Sequence, residues 1–170
     1  IAVLYNNIAQ LYSDLSDYSK AYNYYEKALV IKEKVFGKEH PTTKYVLNEL
    51  LIAKYQQTLL SGNLTDFLSA HAFTIEVTDS DTPAGQQGMS GEYYLLEYAD
   101  WKQDCTTSLF DEMDKRSGKP KDLLVLKDGV VSQHHFENKM GIQYGIKEVS
   151  KKEKQRINKA YEDWKKQNRK

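Results

Sequence analysis

The sequence predicts an α+β protein, helical at its start and β-rich after about residue 62. The placement of helix breakers is the first sign. The first 60 residues hold only Gly37 and Pro41, whereas eight of the nine glycines fall from Gly62 onward. The second sign is a change of hydrophobic period, from helical spacing in the first part to strict alternation in Phe73-Thr74-Ile75-Glu76-Val77-Thr78. Apolar residues make up 40% of the 170, enough to build a core and to exclude wholesale disorder.

The helices come first. Leu4, Ile8, Leu11, Tyr12 and Leu15 mark a first helix, ended by the break Asp17-Tyr18-Ser19. A second runs from about Ser19 to Phe36 with Ala21, Tyr25, Ala28, Leu29 and Val35 on one side, and Gly37 stops it. Pro41 suits the first turn of a third, since its missing N–H is not needed there. Leu47, Leu50, Leu51 and Tyr55 carry that helix to about Leu60, and Ser61-Gly62-Asn63 closes it.

The second part alternates strands and turns. Strands are expected at 73–78 and 93–98, separated by a turn-rich loop from Asp79 to Gly91. A short helix over 107–116 starts at Thr107 or Ser108 and shows Leu109, Phe110 and Met113 on its apolar face. Leu123 to Leu126 and Val130 to Phe136 form a hairpin about Lys127-Asp128-Gly129, and 141–149 adds another strand. Ser150, with Glu153 three residues on, opens a last helix whose apolar stripe is Ile157, Ala160, Tyr161 and Trp164. The domains expected are therefore 1–62, 63–149 and the amphipathic basic helix 150–170.

Charge narrows the function classes. Lys+Arg and Asp+Glu each total 24. Such balance argues against nucleic-acid binding through a broad basic field. Residues 147–170 hold ten basic and four acidic side chains, leaving −6 on the rest of the chain. Glu153, Glu162 and Asp163 interrupt that charge, so the last helix reads as docked with a solvated lysine face. No apolar run has the length of a membrane span. The chain opens Ile1-Ala2-Val3 without methionine and reads as a fragment.

Catalytic and metal signatures are poor. Phosphate-binding and dinucleotide glycine loops and the Gly-x-Ser-x-Gly elbow are missing. Cys105, the only cysteine, excludes an internal disulfide and a multi-cysteine zinc site, and is compatible with a reducing compartment. Its pairing with His134 or His135 as thiol and base has no geometric support and yields to a packed small residue. His134 and His135 are neighbours on a strand and point to opposite faces, which disfavours a shared metal. No catalytic residue, metal or cofactor is expected.

Two stretches repeat. Leu4-Tyr5-Asn6-Asn7-Ile8-Ala9 is similar to Val46-Leu47-Asn48-Glu49-Leu50-Leu51, 42 residues later. Tyr5, Ile8, Ala9 and Tyr12, followed by Ala21, Tyr25 and Ala28, alternate large and small side chains as interlocking helices require. With Ala28-Leu29, Ile31, Glu33-Lys34-Val35, Gly37 and His40-Pro41, residues 1 to about 60 resemble the tetratricopeptide repeat in the 42-residue form of kinesin light chains. The resemblance places His40 in the inter-repeat turn and makes the third helix a cap with Leu51 in place of a small residue. It implies a concave protein-binding surface in which Asn6 and Asn48 face the groove, where an amide both donates to and accepts from a peptide backbone. Tyr5, Tyr12 and Tyr25 read as core, while Tyr22 and Tyr24 are freer to meet a ligand.

Residues 66–137 resemble a PDZ domain of bacterial type. Thr82-Pro83-Ala84, Gly88-Met89, Gly91-Glu92, Tyr94-Leu95-Leu96 and the Lys127-Asp128-Gly129 hairpin carry that likeness. It implies a ligand strand added beside Phe73 to Val77, with Ile75 on that strand, in a groove lined by Leu109, Phe110 and Met113. Ala70-His71-Ala72-Phe73 stands where the family has its glycine-rich carboxylate loop, and Glu92 replaces the usual aspartate. These departures imply a retained fold with weakened or lost binding of free C-termini.

The function expected is a non-catalytic interaction or scaffolding module for a protein or peptide partner, with no nucleic acid and no membrane. Two alternatives stand beside it: an accessory module of a larger protein with a hydrolase or protease domain upstream, or a purely structural domain. The sequence names no particular partner, compartment or oligomeric state.

Overall fold

The computed structural model describes residues 1–103 and 108–168. The chain divides into two compact units, Ile1–Leu64 and Thr65–Lys170, and its class is α+β.

The first unit holds α1 (Ala2–Asp14), α2 (Tyr18–Phe36) and α3 (Pro41–Ser61). Local chemistry sets each boundary. Asp17 caps α2: its carboxylate accepts from Lys20 N–H at 3.2 Å and pairs with the Lys20 ammonium at 2.6 Å. Gly37 ends α2 with φ +83°, and Gly62 ends α3 in the left-handed conformation. His40 lies in the turn between α2 and α3 and caps α3, where Thr42 N–H donates to its Nδ1 at 3.2 Å and Pro41 opens the first turn.

Packing in this unit depends on size alternation. Ala9, Ala21 and Ala28 have no solvent exposure, and Tyr25 fills the space beside them. Small residues at these points let α2 approach α1 and α3 closely. The apolar stripe of α1 differs from the sequence expectation. Leu4, Leu11 and Leu15 are exposed, as are Val35 on α2 and Leu47 on α3. Three helices cover only part of one another, so these residues satisfy helical periodicity without a neighbour in the unit to bury them.

The second unit begins with α4 (Leu64–Ala70), a turn of helix the sequence reading lacks, whose first residue belongs to the preceding unit. The strands are β1 (His71–Val77), β2 (Gly91–Tyr98), β3 (Trp101–Lys102), β4 (Lys121–Lys127), β5 (Val130–Phe136) and β6 (Gln143–Glu148). Between them lie α5 (Pro83–Gln86) and α6 (Leu109–Lys115), and α7 (Lys151–Asn168) ends the unit. The sheet order is β5-β4-β2-β1-β6, antiparallel at every pairing, with β3 as a further partner of β2. The β4–β5 hairpin turns on Asp128 and Gly129, at φ +51° and +81°, the backbone a two-residue turn of this hand requires.

Two layers cover the sheet. On one face, Ala72, Leu96, Leu124 and Leu126 pack under Ile157 and Tyr161 of α7, with Trp164 at the margin. The alternate residues Phe73, Ile75, Leu95, Leu123 and Val125 form the other buried face, and Trp101 meets Phe73 edge-on at 4.9 Å. A bulge between Leu95 and Glu97 shifts the β2–β4 register. Glu97 thereby turns to the α7 side and Tyr98 to the other. Ser150 caps α7 by accepting from Glu153 N–H at 3.1 Å, while the Glu153 carboxylate is set toward Arg156 at 3.7 Å.

The ligand strand expected beside β1 has no place to lie. β1 is an interior strand, paired with β2 from Thr74 to Val77 and with β6 from His71 to Glu76. Both sides of β1 are taken, because β6 (Gln143–Glu148), within the expected 141–149, returns to pair with it. The expected carboxylate loop is used in the same way. Ala70 ends α4 and its carbonyl accepts from Val149 N–H at 2.9 Å, while the His71 carbonyl accepts from the Lys154 ammonium at 2.9 Å. His71, Ala72, Phe73 and Ile75 are all buried.

Candidate functional site

On the first unit, a cleft of 340 Å3 opens among Val3 and Asn6 of α1, Lys32 of α2, and Pro41, Tyr45 and Val46 of α3. Its walls are largely apolar. Asn6 is the exception: its Oδ1 is buried and has no hydrogen-bond partner among the described residues. A buried amide oxygen without a donor costs about 1–3 kcal/mol unless something supplies an N–H. Lys32 brings the one cation among the lining residues, with its ammonium 5.2 Å from the Phe36 ring centre.

Helical geometry explains how these residues meet. Val3 and Asn6 are three apart and share a face of α1, as Thr42, Tyr45 and Val46 do on α3. Sequence reading missed Lys32 and Tyr45. Tyr45 lies three residues before Asn48 in the repeated stretch, and that spacing was its only signal. Asn48, the other expected groove residue, is half-buried on α3, already engaged, and does not line the cleft.

The tyrosines sort into two groups. Tyr25 is core, 1% exposed, and its hydroxyl donates to Gln10 Oε1 at 3.1 Å. Burial is the main cause that pushes its phenol up to about 12, and the charge of Glu49 adds to it. Burial also raises the Glu49 carboxyl, against a hydrogen bond from Tyr25 that lowers it. Tyr24 stacks on Tyr12 at 5.6 Å with the Lys27 ammonium over its ring, so it is not free for a ligand as expected. Tyr22 is likewise engaged.

On the second unit, the expected groove residues separate. Leu109 is 1% exposed and packs inward. Phe110 and Met113 line a cleft of 450 Å3 with Met140, Ile142 and Tyr144. None of Ala70, His71, Ala72, Phe73 or Ile75 lines it. The open side of α6 therefore meets the start of β6 and the segment before it.

The two adjacent histidines lead separate networks. His135 Nδ1 lies 2.7 Å from Asp122 and Nε2 lies 3.2 Å from Glu137, and hydrogen bonds to these carboxylates, Asp122 foremost, raise its pKa. His134 lies 3.0 Å from the Ser132 hydroxyl and 3.3 Å from Gln87 Oε1, and burial lowers its pKa. Gln87 donates through Nε2 to the His135 carbonyl at 2.8 Å, so the amide oxygen faces the ring. No cluster of three metal-ligating side chains forms among the described residues. Cys105 and Thr107 lie outside the described residues. No described helix is long and apolar enough to cross a membrane.

No curated protein and no solved structure matches this chain. Residues 1–42, which cover α1, α2 and the turn into α3, match the family model of the tetratricopeptide repeat.

Proposed function

We propose that the first unit binds an extended peptide segment of a protein partner in the cleft between α1 and α3. Repeats of the matched family are interaction modules, which supports this class of function over catalysis. The observation that carries the reading is Asn6. Its buried, unpartnered Oδ1 on an apolar wall calls for a backbone N–H from a ligand. Val3, Tyr45 and Val46 then take an apolar side chain, and Lys32 at the cleft favours a segment carrying an acidic residue. Asn48 lies outside this contact. No ligand strand is placed beside β1, whose two edges are paired.

The test is retention of a displayed peptide library by the full chain, followed by titration of a retained peptide against Asn6→Leu. The substitution removes the amide and keeps the volume. Affinity is expected to fall at least tenfold, about 1.4 kcal/mol, with an unchanged or slightly raised melting temperature. Undiminished binding by the variant, or no peptide retained by the parent chain, would refute the reading.

A further inference from the structure

The 450 Å3 cleft on the second unit combines two features that belong to different chemistries. Phe110 and Met113 of α6 face Met140 and Ile142 across it, giving an apolar trough of a size suited to a small molecule. Lys121, at the start of β4, also lines it. By strand alternation Lys121 stands on the same face as Leu123 and Val125, so a cation occupies a core position.

That cation is poorly compensated. Lys121 is 5% exposed, and its ammonium donates to the Asn138 carbonyl at 2.9 Å. No carboxylate lies within ion-pair distance of it among the described residues. Burial lowers its pKa with no opposing charge to offset the effect. An ammonium removed from water is retained at a cost unless an anion or further acceptors meet it. Lys139 adds a second cation to the lining, against one acid, Asp114. The cleft therefore carries one more cation than acid, beside the apolar side chains of Phe110, Met113, Met140 and Ile142.

We propose that this cleft binds a small apolar monocarboxylate, with its carboxylate on Lys121 and its hydrocarbon body against Phe110, Met113 and Ile142. The single negative charge matches the one buried ammonium. The apolar body displaces water from the walls that Phe110 and Met113 leave half-buried. The site is independent of the peptide cleft on the first unit.

The experiment titrates sodium octanoate into the full chain by calorimetry, with octanamide as the neutral isostere, and follows the melting temperature. Octanoate is expected to saturate and to raise the melting temperature, with octanamide at least tenfold weaker. Lys121→Met keeps the apolar stem and removes the charge, so it should fold and bind acid and amide alike. Met113→Trp fills the trough from the α6 side and should abolish octanoate binding. Equal affinity for acid and amide overturns the proposal, as does a preference for the acid that survives in Lys121→Met. So does the absence of saturation at millimolar octanoate. Should Lys121→Met fail to fold, undiminished binding by Met113→Trp has the same force.

Discussion

The hydroxyl of Tyr161 donates to the carboxylate of Glu97, joining α7 to the bulged stretch of β2 where both residues are buried. The bulge between Leu95 and Glu97 is what aims that carboxylate at the helix. Tyr161→Phe keeps the ring and deletes the donor. It should cost about 1.5–3 kcal/mol, the range for a hydrogen bond to a charged group. Urea unfolding monitored by circular dichroism reads this directly, and a loss below about 0.5 kcal/mol would mean that this hydrogen bond adds little to the hold on α7.

Tyr25 links pH to the stability of the first unit. Its folded pKa lies above the ordinary 10.0, at about 12. The neutral phenol is favoured in the folded state, so this contribution is full below pH 10 and is lost as the pH rises toward 12. The parent chain should lose stability over that window more steeply than Tyr25→Phe. Parallel slopes in melting temperature against pH for the two proteins would contradict the assignment.

Glu49 follows the same sign in a lower pH range. Burial raises its carboxyl above the ordinary 4.5, so ionisation opposes folding once the pH exceeds that value. Glu49→Gln should therefore raise the melting temperature at pH 7, and the gain should vanish near pH 4. A variant less stable than the parent at pH 7 would show that the Tyr25 contact outweighs the burial.

Ala21 has no exposure and sits where α2 meets its neighbours. Ala21→Leu should overpack the helices and cost about 1–3 kcal/mol. Val35, exposed on the same helix, provides the comparison: Val35→Ser should change stability by less than about 0.5 kcal/mol. Similar losses at the two positions would dissociate exposure from packing and undo the repeat assignment.

Gly85 is needed for close backbone approach. A Cβ there would run into the Asp79 carbonyl oxygen and lie 2.5 Å from the Ser80 Cα, both backbone atoms with little freedom to move. Gly85→Ala should destabilise the second unit by about 1–3 kcal/mol. Gly88→Ala serves as a control for strain alone, because its φ is +79° but the space around it is open. A neutral Gly85→Ala would require the 79–85 loop to be far more yielding than its contacts imply.

The helical part was legible because its determinants are local. Asp17, Gly37, His40-Pro41 and Gly62 act on the backbone within a few residues, and the alanines at 9, 21 and 28 announce a close approach whatever lies opposite. The burial of Leu4, Leu11 and Leu15 was not legible, since periodicity marks an apolar face without saying whether anything covers it. The same limit applies to the peptide cleft. The repeated stretch pointed to Asn6, but only the arrangement of three helices separated it from Asn48.

In the sheet, the sequence by itself marked five of the six described strands, all but the short β3, and where the hairpin turns, because alternation and the Asp128-Gly129 backbone are local properties. Tertiary structure alone decided the neighbours. Strand pairing joins residues far apart in the chain, and β1 looks the same in sequence whether its edge is open or filled. The return of β6 to β1 closed the expected groove, and the fold of the unit set Phe110, Met113, Ile142 and Lys121 around one cleft. Lys121 shares the parity of Leu123 and Val125 on β4, but the lack of a carboxylate within ion-pair distance of it among the described residues is a fact of three dimensions.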